Sequence, residues 1–169
     1  NSCKYASHIV GYQIAGGQTE EWFHFDMNGG YGECAKSAFK AFLEEYYPEV
    51  EYKGLPDLTL LDKKNNYFND EYLTWYIEFA NFKIAQAISH FAQIVKEETG
   101  NNVVVGTFYG YTLEVTNSLL GNHALNYILK DKNIDFICSP NSYIGIRSPE
   151  MDWTEMYPAD SVRQHGKMC

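Results

Sequence analysis

The run Val103-Val104-Val105-Gly106-Thr107-Phe108-Tyr109 constrains the fold most. It is nearly continuously apolar and rich in β-branched residues, the pattern of a strand covered on both faces. Such a strand needs helices on both sides of a sheet or a closed barrel. Two further segments read as strands. His8-Ile9-Val10 leads into an alternation through Tyr12 and Ile14 that Gly16-Gly17 breaks, and Ile134-Asp135-Phe136-Ile137-Cys138-Ser139 is a second apolar run. Residues 164–169 read as a fourth strand that has just begun.

Between the strands the apolar period changes to three and four. From Glu33 onward Ala35, Ala38, Phe39, Phe42, Leu43 and Tyr46 mark a helix that Pro48 must stop. Asp70 is placed to cap a second helix, with Leu73, Ile77, Ala80, Ile84, Ala87, Phe91 and Val95 as its apolar stripe and Gly100 just past its end. Ala124, Leu125, Ile128 and Leu129 mark a short third helix. Residues 49–69 read as an excursion with one short helical turn, and residues 144–162, with Pro149 and Pro158, as a loop.

The order is strand, loop, helix, repeated, with the long loops after strands. That asymmetry predicts an α/β fold of the (β/α)8 TIM-barrel type, whose active sites lie in the loops at the carboxyl ends of the strands. A whole barrel takes about 250 residues, and this chain has 169. The expectation is therefore a partial barrel, residues 1–169 being a fragment of a single catalytic domain, with a smaller open α/β sheet as the alternative. An opening Asn1 in place of Met also reads as a piece of a longer protein.

The chemistry gathers at the end of the first strand, where Glu20-Glu21-Trp22 follows the glycine pair. Ligands of parallel α/β sheets sit outside the carboxyl ends of the strands, so two carboxylates there suggest a site. Successive side chains on a strand end point to opposite faces, so the two cannot divide the jobs of a two-carboxylate reaction between them. His24 and Asp26 nearby leave open a metal-dependent hydrolase using Glu20, Glu21, His24 and Asp26, although no helical His-Glu spacing supports it. Asn141 and Tyr143 follow the buried third strand directly and are candidate contacts, whereas Glu114 reads as an exposed loop carboxylate. His90, His123 and His165 read as structural.

Composition narrows the class. A formal charge of −9, from 22 acidic against 13 basic residues, excludes a phosphate-backbone binder. The 14 Tyr, 10 Phe and 3 Trp provide platforms for the apolar faces of sugar rings, though most must fill the core. A non-catalytic carbohydrate-binding α/β module therefore also stays open. Cys3, Cys34, Cys138 and Cys169 are scattered without a metal or disulfide pattern, and Cys138 reads as a small buried hydrophobe. No apolar run approaches bilayer length, so no membrane role is expected. The chain reads as soluble, its compartment open and the cytoplasm slightly favoured.

Several motifs, in order, resemble clan A glycoside hydrolases of the β-galactosidase-like kind. Gly11-Tyr12-Gln13-Ile14 followed by Glu21-Trp22 resembles their fourth strand, which ends in the general acid/base and an aromatic; Glu20 stands where that family commonly has Asn. Gly106-Thr107-Phe108-Tyr109-Gly110-Tyr111 is similar to the fifth strand and its aromatic loop, and Ser139-Pro140-Asn141-Ser142-Tyr143 to the sixth. Trp153-Thr154-Glu155-Met156-Tyr157 resembles the loop with a sugar-stacking aromatic, and His165-Gly166-Lys167-Met168-Cys169 the strand leading to the nucleophile. The resemblance implies a retaining glycosidase with Glu21 (beside Glu20) as acid/base, no organic cofactor and a carbohydrate substrate. It implies Tyr109, Asn141, Tyr143 and Trp153 at the substrate, Tyr143 being the position that bonds the nucleophile. The nucleophile would come after Cys169, so the isolated chain would be inactive, and the rest of the barrel or an oligomeric partner would cover its exposed edges.

Overall fold

A computed structural model of the chain describes residues 4–17, 19–23, 32–57, 70–113, 120–143, 150 and 154–169. Three strands, β1 (Gly11–Ile14), β2 (Val104–Phe108) and β3 (Phe136–Cys138), form a parallel sheet in the order β1-β2-β3. Ile14, Thr107 and Ile137 are in register on one face, and Gln13, Gly106 and Phe136 on the other. The fold is thus mixed α/β with a small open sheet. Of the fourth strand expected at 164–169, one parallel bridge forms, between Phe136 and Met168. Ile137 N donates to Met168 O at 3.0 Å, and Met168 N to Asp135 O at 2.9 Å.

The helix α1 (Glu33–Tyr46) ends just ahead of Pro48, and α2 (Glu71–Glu98) begins and ends where local chemistry dictates. Asp70 Oδ1 accepts from Leu73 N at 3.1 Å, satisfying one of the first-turn donors that a helix leaves unpaired. At the other end Gly100 takes φ +60°. Asn101 N then reaches Lys96 O at 2.8 Å and Gly100 N reaches Glu97 O at 3.2 Å, a Schellman closure. Leu73, Ile77 and Ala80 are buried as expected, but Phe91 of the same stripe is 48% exposed. Farther along, the inward line is Ala85, Ile88 and Ala92. A 3.6-residue helix drifts against a near-seven-residue pattern, and alanine lets it lie close to the sheet.

A third helix, α3 (Leu125–Lys130), follows β2, and a fourth, α4 (Ala159–Gln164), lies in the stretch expected to be a loop. At 6 residues α4 is too short to leave a periodic signature. Tertiary burial of Val162, which is fully inside, supports it instead.

Among the described residues, helices cover one face of the sheet. Ile14, Val105 and Ile137 pack with Ala85, Ile88 and Ala92 of α2, Ile128 and Leu129 of α3 and Val162 of α4. On the opposite face Gln13 and Met168 are exposed, and Phe108, Phe136 and Cys138 are half-buried. Of the two arrangements expected for a strand covered on both faces, helices on both sides are not seen among the described residues. A separate aromatic core forms where α1 meets the first half of α2, around Phe39, Phe42, Tyr76, Phe79 and Phe82. The amino ends of the strands are pinned by Asp135, whose Oδ2 accepts from Lys96 Nζ at 2.6 Å and Val105 N at 2.7 Å.

No described helix is long and apolar enough to cross a membrane. Among the described residues Cys34, Cys138 and Cys169 are free thiols. Cys138 is half-buried, and its thiol lies 3.4 Å from Gln13 Oε1.

Candidate active site

The loops at the carboxyl ends of β1, β2 and β3 converge on one cluster. After β1 the chain turns sharply: Thr19, Glu20 and Trp22 all take left-handed conformations, with φ of 61°, 62° and 63°. Each costs roughly 1–2 kcal/mol for an L-residue, so the turn must be held from outside. Trp22 does this. Its N–H donates to Gly16 O at 2.9 Å, its Nε1 donates to Ile14 O at 3.3 Å, and its ring is 3% exposed. That ring lies so close over Gly16 that a Cβ there would be 2.6 Å from it, which is why a glycine stands at this place.

The turn separates the two carboxylates. Glu20 is exposed to solvent, whereas Glu21 is half-buried and directed toward the loop after β2. Tyr111 Oη donates to Glu21 Oε1 at 3.3 Å, and Thr19 Oγ1 donates to Oε2 at 3.3 Å. The Tyr111 ring stacks on Phe23 at 4.9 Å and leans on Phe108 at 5.2 Å, within a cluster that includes Leu120 and Met156. Its hydroxyl is also hydrogen-bonded with Tyr143 from the loop after β3. Burial, then the bond to Tyr143 and the charge of Glu21, push the Tyr111 phenol well above its ordinary range.

The segment around Met156 laces the loops together. Thr112 N and Leu113 N donate to Met156 O at 3.2 and 3.0 Å, and Ser142 N donates to Thr154 O at 2.8 Å. Asn141 forms an antiparallel bridge with Glu155. Beneath Tyr111 the fully buried Asn122 accepts from Tyr111 N at 3.4 Å, while Asn122 Nδ2 and Thr112 Oγ1 are buried without a hydrogen-bond partner among the described residues.

Of the residues expected at a site, Glu21 and Tyr143 come together, Asn141 lies half-buried on the same loop as Tyr143, and Glu20 stands apart in solvent. Tyr109 is corrected. It is fully buried, donating to Gly121 O at 2.8 Å and accepting from Ala124 N at 2.9 Å, so it has no hydroxyl to offer a sugar. Its parity with Val105 and Thr107 turns it to the helix face. Trp153, His24, Asp26 and Glu114 lie outside the described residues. Sequence reasoning does not single out Tyr111. Its only signal is its place two residues beyond Tyr109, where the strand alternation has already ended.

Among the described residues no three His, Cys, Asp or Glu side chains gather as metal ligands. Among the described residues, grooves lie elsewhere: one of about 540 Å³ beside Ile9, Tyr12 and the end of α2, and one of about 350 Å³ between α2 and α3. Neither includes Glu21. Compared with known proteins, the chain matches no family model, no curated protein and no solved structure.

Proposed function

We propose that this chain belongs to the catalytic domain of a retaining, β-galactosidase-like glycoside hydrolase built on a TIM barrel, with Glu21 as its general acid/base. The observation that carries this reading is the selection of one carboxylate. Of two adjacent Glu, only Glu21 is drawn into an aromatic, hydroxyl-lined cluster where the loops of three parallel strands meet. That is where a barrel holds its chemistry.

The sheet supports the barrel. Its strands run in chain order without the reversal that marks a doubly wound sheet, and its helices lie on one face. The uncovered face, with Gly106, Phe108 and Phe136, corresponds to a barrel interior that further strands would fill. Those strands would also cover the open edges beyond β1 and Met168.

In this mechanism Glu21 protonates the leaving oxygen, then deprotonates water in the second displacement. The nucleophile must be a second carboxylate about 5–5.5 Å away. Asn141, Tyr143 and Trp153 would contact the sugar, and no organic cofactor takes part.

The test is Glu21→Gln in the full-length protein, assayed on an aryl β-glycoside whose leaving group needs protonation. Hydrolysis should fall about 10²- to 10⁴-fold, with Glu20→Gln near wild type. Unchanged hydrolysis by Glu21→Gln sinks the assignment.

A further inference from the structure

We infer that Tyr111 is a positioning residue of this site, its buried hydroxyl holding Oε1 of Glu21 so that Oε2 is the oxygen that delivers the proton. The inference rests on reading Glu21 as the acid/base.

The first ground is rigidity. Tyr111 is 7% exposed, with its ring against Phe23 and Phe108. Its backbone N–H is held by Asn122, and the next two N–H groups by Met156 O. A phenol fixed in this way determines where the Glu21 carboxyl sits, whereas Thr19, the donor on Oε2, is itself exposed. The second ground is the hydrogen itself: the one hydrogen of the Tyr111 hydroxyl is given to Glu21 Oε1 at 3.3 Å, which ties the loop after β2 to the loop after β1. Because burial keeps the Tyr111 phenol neutral, it remains a donor throughout the working pH range. With Oε1 occupied from the buried side, the transferable proton of the acid form rests on the more open Oε2.

A structural role and a positioning role separate by leaving group. In the full-length protein, Tyr111→Phe keeps the ring and removes only the hydroxyl. For a phenyl glycoside, whose departure needs the proton, kcat should fall about 10- to 100-fold. For a dinitrophenyl glycoside, which departs unaided, it should stay about the same. Glu21→Gln should give the same pattern, more steeply. Equal losses on both substrates with Tyr111→Phe, beside a leaving-group-dependent Glu21→Gln, overturn the role of Tyr111 alone. A Glu21→Gln variant without leaving-group dependence overturns the acid/base reading and this inference with it. Should Tyr111→Phe not fold, Phe23→Leu, which loosens the ring stacked on Tyr111, probes the same position: a weaker form of the pattern supports the role, and an unaltered one refutes it.

Discussion

Replacing Tyr109 by Phe removes one oxygen from the core and leaves the ring. That oxygen serves two buried backbone groups, Gly121 O at 2.8 Å and Ala124 N at 2.9 Å. Neither group gains access to water, because Gly121 and Ala124 are themselves buried. Leaving a buried donor or acceptor unpaired costs about 1–3 kcal/mol each, so Tyr109→Phe should cost about 3 kcal/mol. With a urea slope of about 2–3 kcal/mol/M, the unfolding midpoint should drop by about 1 M. The same variant should hydrolyse its substrate as well as wild type, since Tyr109 faces the helices and not the site. Burial raises the Tyr109 phenol above its ordinary value, opposed in part by the Ala124 N–H. The sign follows from proton binding. Above about pH 10 the unfolded chain loses this proton while the folded chain keeps it, so stability falls as pH rises, and Tyr109→Phe should flatten that fall. A midpoint shift below about 0.2 M, or a loss of activity without a loss of stability, would return Tyr109 to the substrate and refute the reasoning.

At the amino end of the sheet, Asp135→Ala strands the nearly buried Lys96 ammonium and the Val105 N–H, and should cost about 3–5 kcal/mol. Lys96→Met with Asp135→Leu should recover much of that loss in a double-mutant cycle; strict additivity would show the pair to be uncoupled. On the uncovered face, a Cβ at Gly106 would lie 2.2 Å from the Phe136 ring. Gly106→Ala should therefore destabilise by about 1–3 kcal/mol, and far less in a Phe136→Ala background. Equal costs in both backgrounds, measured by urea unfolding, would contradict the close contact.

Elements whose limits depend on near neighbours along the chain are legible in the sequence. Pro48 stops α1, Asp70 caps α2 and Gly100 closes it, because these interactions reach no farther than one helical turn. The parallel strands are legible as apolar runs, and their place between helices implies α/β. Residues whose roles depend on distant partners are not legible in this way. Phe91 reads as core because it continues the stripe, yet the slow rotation of the helix carries it to the surface. α4 leaves no mark in the apolar pattern because its support comes from the burial of Val162.

The candidate site divides in the same way. Sequence alone determines that carboxylates and aromatics follow the strands, since alternation and glycine breaks locate a strand end. It does not choose between Glu20 and Glu21, or between Tyr109 and Tyr111. Those choices are made by tertiary contacts: the seating of Trp22 over Gly16, the parity of β2 against α2, and the shelf of Phe23 and Phe108 beneath Tyr111. A one-residue change in facing turns a side chain from solvent to core, and only the packing of distant segments sets that facing.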